Sequence, residues 1–128
     1  MATVRLSMVG LIVRDMARSL AFYWRLGLAI PTGAEGRPHV ELALGEGLTL
    51  FWDAAFVAAN DPGRDEPAGG YRVVLEFFLA DPVAVDAKYA ELTGAGYRGH
   101  RVPFTASFGA YMAMVDDPDG NTLLLTAG

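Results

Sequence analysis

The sequence predicts an α+β fold in which two tandem units each contain a strand, a helix and three further strands. The chain has 128 residues, about the length of one domain. Apolar residues switch between the spacing of strands and that of helices. A shift of 66 positions places Asp15 on Asp81, Tyr23 on Tyr89 and Leu26 on Leu92, and such self-similarity indicates an internal repeat.

The first unit is predicted over residues 4–53 and begins with a strand and a helix. Residues 4–13 are rich in β-branched and apolar side chains, which favours a strand. Asp15 follows where a helix N-cap is expected, and apolar residues then recur at helical spacing. Gly27 is placed to end this helix.

A hairpin completes the first unit. Large apolar residues alternate with small or polar ones over residues 39–44, as in a strand with one face on a core. Residues 48–53 are predicted to return as its partner across the turn at residues 45–47. Residues 54–70 contain two prolines, three glycines and several charges, which is typical of a connecting loop.

The second unit is predicted over residues 71–128 and repeats this order. Residues 71–79 form its first strand, and Asp81 caps a helix that ends at the glycines of residues 94–96. Three strands follow, at residues 97–102, 108–115 and 122–126.

Composition excludes several classes of function. The chain has no cysteine and only two histidines, His39 and His100, so disulfides, thiolate metal sites and an imidazole-rich zinc site are not expected. The net charge of −5 argues against binding to nucleic acid or to an anionic membrane surface. No leader or membrane-spanning run is evident, and a cytoplasmic protein is expected.

Four short motifs, taken together and in order, resemble the vicinal oxygen chelate superfamily, which includes glyoxalases, extradiol dioxygenases and bleomycin-binding proteins. They are residues 9–16, 18–23, 26–28 and the turn at 117–121. The resemblance covers essentially the whole chain. It implies two tandem βαβββ modules that form curved mixed sheets around a concave cavity, with helices on the outer faces. It also implies a homodimer.

The resemblance also locates where metal-dependent relatives hold their ion. Those positions are occupied here by Met8, Thr49, Val74 and Leu124, which do not form a site for a divalent cation. A register error of one residue recovers at most Glu76 or His39. We therefore expect no metal and no cofactor, and a similarity to the metal-free bleomycin-resistance branch.

Strand alternation predicts which side chains would face the cavity. The predicted ligand-binding residues are Met8, His39, Glu41, Phe51, Glu76, Phe78 and Tyr111. Tyr111 is included because Tyr111 and Ala113 are predicted to lie opposite the strand of Leu124, on the cavity face. Aromatic rings that share a face with carboxylates suit a planar or cationic small molecule.

Structural roles compete with these assignments. Met8, Phe51 and Phe78 would also fill a cavity that closes on itself. Glu41 would equally pair with an arginine, and His39 and His100 would lie exposed at strand ends without a functional role.

Three functions remain open from the sequence. We favour a metal-free small-molecule-binding protein that sequesters an antibiotic or another natural product, and we assign no catalytic residue. The alternative is a glyoxalase-like lyase or isomerase, or a dioxygenase-type enzyme. It would use acid–base chemistry at Glu76 or Glu41, with His39 or Tyr111 as partner, or displaced metal ligands. The third is a regulatory binding module.

Overall fold

The computed structural model describes residues 3–127 and divides the chain into two compact units, Met1–Glu66 and Pro67–Gly128. The division falls inside residues 54–70, the predicted connecting loop. Met1, Ala2 and Gly128, which the predicted single domain of residues 1–128 includes, lie outside the described residues.

The first unit is a three-stranded mixed sheet with one long helix. Its elements in chain order are β1 (Met8–Ile12), α1 (Met16–Leu26), β2 (His39–Gly45), β3 (Leu48–Asp53) and the short α2 (Phe56–Asn60). The sheet order is β1-β3-β2, with β1 parallel and β2 antiparallel to β3.

Helix α1 begins and ends where the sequence predicts. The Asp15 carboxylate accepts a hydrogen bond from the backbone N–H of Arg18 at 3.1 Å, and Gly27 ends the helix at a φ of 124°. The rings of Tyr23 and Trp52 meet edge to face at 5.4 Å, and both are fully buried. The helix therefore covers the face of the sheet that carries Trp52.

The first unit departs from the predicted βαβββ pattern because, in the described residues, it has three strands rather than four. Residues 28–38 run irregularly between α1 and β2. Pro31 and Pro38 lack the N–H group that a strand ladder needs, and Gly33 has a φ of 79°. Residues 54–70, predicted as a loop, contain α2.

The second unit has the predicted βαβββ order. Its elements are β4 (Leu75–Phe78), α3 (Pro82–Gly94), β5 (Arg98–Thr105), β6 (Tyr111–Asp116) and β7 (Thr122–Ala127). The sheet order is β4-β7-β6-β5, with β4 parallel to β7 and the remaining pairs antiparallel. The Asp81 carboxylate accepts from the Ala84 N–H at 2.8 Å, which confirms it as the helix cap.

Strands β1 and β4 are shorter than the apolar runs that predict them. Val4 and Val73 are 93% and 75% exposed, so these ends of the runs lie outside the packed core. In residues 3–127, no helix is both long and apolar enough to cross a lipid bilayer.

Candidate functional site

The open face of the first sheet carries the side chains that alternation selects. Strand pairing places Glu41 beside Phe51, and Phe51 beside Gly10. One step along, His39 pairs with Asp53, which pairs with Ile12. Residues two apart share a face, so His39, Glu41 and Phe51 lie together on the side of the sheet opposite Trp52.

His39 bridges two carboxylates on this face. Its Nδ1 lies 2.8 Å from Asp53 Oδ2, and its Nε2 lies 2.8 Å from Glu41 Oε2. Asp53 also accepts from the Ala55 N–H at 2.8 Å, and its side chain is only 14% exposed against 51% for Glu41. The three side chains form a row, Asp53–His39–Glu41, in which the Asp53 carboxylate is mostly buried and the Glu41 carboxylate is exposed to solvent. His39 is exposed at the start of β2, as expected, and its imidazole has a hydrogen-bond partner on each side.

The two carboxylates raise the pKa of His39 above its usual 6.5, with Glu41 the larger contributor and Asp53 next, against a smaller opposing effect of burial. For Asp53, burial alone would raise the pKa, but hydrogen bonds from His39 and from backbone N–H groups outweigh it and lower the pKa below 3.8. In its protonated form His39 donates to both carboxylates, and these two hydrogen bonds are what favour that form. Glu41 pairs with this imidazole rather than with an arginine.

Phe51 lies flat over a glycine on the same face. A Cβ atom at Gly10 would collide with the Phe51 ring, so the absence of a side chain at residue 10 leaves the space that the ring occupies. The rings of Phe51 and His39 are 5.2 Å apart at an interplanar angle of 34°. The Phe51 and His39 rings therefore form an aromatic surface beside the carboxylates of Glu41 and Asp53.

The open face of the second sheet combines Glu76 and Phe78 with methionines. Glu76 pairs with Leu124, which pairs with Met114, and Phe78 pairs with Thr126, which pairs with Met112. The Thr126 hydroxyl donates to Glu76 Oε2 at 3.0 Å. Phe78 is 71% exposed, so its ring is available to a ligand.

Tyr111 does not join Glu76, and its predicted position on that face is wrong. It pairs with Ala127, on the face that α3 covers, and its hydroxyl donates to Asp86 Oδ1 of α3 at 2.6 Å. This hydrogen bond raises the Tyr111 pKa above 10.0. Ala113 lies on the same covered face, opposite Leu125.

The turn between β6 and β7 explains the error. The Asp117 N–H donates to the Asn121 carbonyl at 2.8 Å, while the Asp117 carboxylate accepts from the N–H groups of Asp119 and Asn121, each at 2.9 Å. This five-residue loop makes Asp116 face Thr122, one residue away from the predicted register. Because a slip of one residue reverses every side chain, it brings Met112 and Met114 to the open face.

His100 is exposed near the start of β5, as expected, and it belongs to a polar cluster. Its Nδ1 is 3.0 Å from Asp116 Oδ1, which also accepts from the Thr122 hydroxyl at 2.8 Å. Arg98 reaches the other carboxylate oxygen of Asp116 at 3.2 Å. Asp116 is buried, so these donors satisfy a charge that would otherwise be costly. Sequence reasoning missed this cluster.

The residues present do not fit the metal site of metal-dependent relatives. Met8 and Thr49 are adjacent across β1 and β3, so a thioether and a hydroxyl stand where a divalent cation needs stronger donors. Leu124 offers no donor atom. His39 presents its two nitrogens to carboxylates on opposite sides of the ring, which prevents the three groups from converging on one ion. No group of three or more acidic or histidine side chains in residues 3–127 is arranged to hold a metal.

Known proteins resemble this chain in sequence pattern and in fold. The model of the Glyoxalase/Bleomycin resistance protein/Dioxygenase superfamily matches residues 5–125. No protein of curated function matches the chain.

Among solved structures, a glyoxalase/bleomycin resistance protein/dioxygenase family enzyme from Burkholderia phytofirmans PsJN is similar with a TM-score of 0.80 and 20% identity, covering 97% of this chain and 98% of that one. A glyoxalase-related enzyme from Fulvimarina pelagi gives 0.79 and 18%, covering 97% and 88%. A hypothetical protein from S. aureus gives 0.79 and 21%, covering 100% and 95%. At such identities the likeness concerns the fold, whereas the family model spans nearly the whole chain. The chain therefore belongs to the Glyoxalase/Bleomycin resistance protein/Dioxygenase superfamily.

Proposed function

We propose that this protein is a metal-free small-molecule-binding protein that takes a cationic ligand with a planar, aromatic part and sequesters it, as a bleomycin-resistance protein would sequester an antibiotic. The observation that carries the proposal is the combination of an aromatic ring and a carboxylate on the open face of each sheet. In the first unit these are Phe51 and Glu41, and in the second they are Phe78 and Glu76.

The aromatic rings supply most of the contact area in this proposal. Phe78 is largely exposed, and exposed large apolar groups near polar ones are typical of ligand-binding surfaces. The ring faces would stack on a planar ligand and attract its positive charge. Met114, which is partly exposed on this face, adds polarizable, adaptable surface that suits a ligand of irregular shape.

The carboxylates supply the preference for a cation. Glu76 accepts one hydrogen bond, from Thr126, which leaves further acceptor positions on its two oxygens. An amine or amidine would donate to these positions and form a charge-assisted hydrogen bond. Binding without a metal is supported by the side chains at Met8, Thr49, Val74 and Leu124, because they cannot supply the donors that a divalent cation requires.

The test is titration calorimetry of chelator-treated protein against cationic glycopeptide antibiotics and cationic aromatic antibiotics. We expect saturable binding that Phe78→Ala and Glu76→Gln each weaken. Phe108→Ala and Glu66→Gln are matched controls, because Phe108 is 77% exposed in a loop and the Glu66 side chain is 69% exposed. Absence of binding across the panel, or equal losses in the controls, would contradict the proposal.

A second candidate is an acid–base enzyme, and the row Asp53–His39–Glu41 favours it. Asp53 holds the imidazolium, which in turn contacts the exposed Glu41 carboxylate. In this candidate Glu41 removes a proton from the carbon next to a carbonyl group, the electron pair passes to the carbonyl oxygen as an enolate, and the proton returns to a neighbouring atom. The positive charge of His39 would favour the developing enolate.

Deuterium exchange distinguishes this candidate from pure binding. The protein is incubated in D₂O with a panel of α-ketoaldehydes and α-hydroxyketones, and loss of the α-proton signal is followed by NMR. An acid–base enzyme accelerates the loss in a manner that Glu41→Gln abolishes and Glu66→Gln does not. No acceleration above buffer for any compound would remove the candidate.

We also infer a homodimer, by analogy with the superfamily. Sedimentation equilibrium tests it, with twice the chain mass expected and the monomer mass as the contrary result.

A further inference from the structure

A groove on the first unit lies beside α1, which covers the face of its sheet opposite to the open one. It runs between α1 and residues 30–35 and has a volume of about 340 Å³, within the size range of small-molecule sites. Residues three and four apart in a helix share one side. The helix lines the groove with such a set: Ala17, Leu20, Ala21 and Trp24.

The groove follows from the way the first unit departs from the repeat. The 66-residue shift that aligns the two units places residue 32 on Arg98, the first residue of β5. The second unit has a strand there, whereas the first has the irregular, proline-containing segment 28–38. Ala17 and Ala21 present only methyl groups toward this segment, so the space beside the helix stays open.

The lining has one aromatic wall and one charge. Trp24 is 63% exposed, a large apolar area to leave in water. Ile30 and Pro31 add apolar surface opposite the helix. Glu35 is the only charged side chain that lines the groove, and within residues 3–127 it makes no hydrogen bond or ion pair with another side chain.

We propose that this groove binds a compact organic cation with a planar aromatic part, independently of the sheet faces. The aromatic part stacks on the Trp24 indole, and the cationic group, an amidine or an amine, donates to the Glu35 carboxylate. Charge complementarity selects the cation, because a benzoate-like anion would meet the carboxylate with the same sign of charge. The volume of the groove, about 340 Å³, suits a small molecule.

The test uses three probes of nearly equal shape, benzamidinium, benzamide and benzoate, followed through the indole N–H signals of ¹⁵N-labelled protein. The chain has two tryptophans, and Trp52 is fully buried, so its indole signal serves as an internal reference. Trp24→Phe assigns the two signals. We expect benzamidinium to shift the Trp24 signal saturably in the millimolar range, as suits a ligand of its size, while the Trp52 signal stays in place.

Variants separate the aromatic contribution from the charge. Trp24→Ala, followed through backbone amides near Ala21, is expected to weaken benzamidinium binding about threefold to tenfold. Glu35→Gln is expected to weaken it about twofold to fivefold and to remove the preference over benzamide. Glu46→Gln, an exposed acidic position in the same unit, is the matched control and leaves binding unchanged. An unmoved Trp24 signal, equal binding of benzoate, or equal effects of Glu35→Gln and Glu46→Gln would each overturn the proposal.

Discussion

The bridge of His39 between two carboxylates makes a prediction about stability and pH. In the folded chain, the pKa of His39 is raised by Glu41 and Asp53, so its contribution to stability is fully present below the unfolded value of 6.5 and is lost as pH rises through the folded pKa. The pKa of Asp53 is lowered, so its contribution is present above 3.8 and is lost as pH falls through the folded pKa. Both contributions are present together between about pH 4 and 6.5.

Glu41→Gln tests this reasoning because Glu41 is the largest cause of the His39 shift. Both side chains are partly exposed, 42% for His39 and 51% for Glu41, so water screens the pair. The expected loss is therefore that of a surface ion pair, about 0.5 kcal/mol near pH 5.5, and it decreases toward pH 9 as pH rises through the folded pKa of His39. Urea unfolding at both pH values measures it, and NMR titration of the two histidines should show a lower pKa for His39 in the variant.

Glu66→Gln is the control, since Glu66 is exposed and does not contact His39. A His39 pKa that is the same in Glu41→Gln and wild type would refute the bridge. So would a loss of stability of the same size at pH 5.5 and pH 9.

Three further predictions concern stability measured by urea unfolding. The Ser19 hydroxyl is buried and has no hydrogen-bond partner among the described residues. Ser19→Ala should therefore leave the protein as stable as wild type, or more stable by up to about 1 kcal/mol. Ser107→Ala is the exposed control, and a loss of stability above about 1 kcal/mol for Ser19→Ala would show that the hydroxyl has a partner. Tyr111→Phe removes the hydrogen bond to Asp86 and should lower the urea midpoint slightly, and a gain in stability would contradict this. Leu92, on the inner side of α3, is fully buried, so Leu92→Ala should cost about 2–5 kcal/mol, and a cost below 1 kcal/mol would place Leu92 outside the core.

The elements were predictable where local chemistry determines them. Asp15 and Asp81 accept from the backbone three residues on, as N-caps do, and those bonds depend only on nearby residues. Alternation likewise put Glu41 and Phe51 on one face, because the period of a strand is fixed. The repeat predicts a strand directly after α1 in the first unit, but residues 28–38 are irregular there. The repeat could not show this difference, which the prolines of that segment explain.

Contacts that depend on rotamers or loop geometry were not available from the sequence. Alternation could place His39 with Glu41 and Asp53 on one face, but not show that both carboxylates would bond the same imidazole. Tyr111 was misplaced because the loop after β6 sets the register through the Asp117 carboxylate. An aspartate that begins a loop containing Gly and Asn is a recognisable signal for such a side-chain-to-backbone hydrogen bond. Read in this way, Asp117 would have predicted a five-residue loop, with Asp116 opposite Thr122.

The two sheet faces differ in how much of their negative charge is available to the proposed cation. Glu41 is already neutralised by His39 at 2.8 Å, so a ligand amine would have to compete with an imidazolium on the same sheet. Glu76 is bonded to a neutral hydroxyl, that of Thr126, and within residues 3–127 it makes no ion pair that a ligand cation would have to displace.

It follows that Glu76→Gln should weaken binding of a cationic ligand more than Glu41→Gln does at pH 6, where His39 is protonated. As pH rises toward 9 through the folded pKa of His39, its imidazolium competes less for Glu41, so the two losses should approach each other. Calorimetry at both pH values with the same ligand and variants tests this ordering. Equal losses at pH 6 would mean that the imidazolium does not compete, and that the charges of the two faces act on the ligand alike.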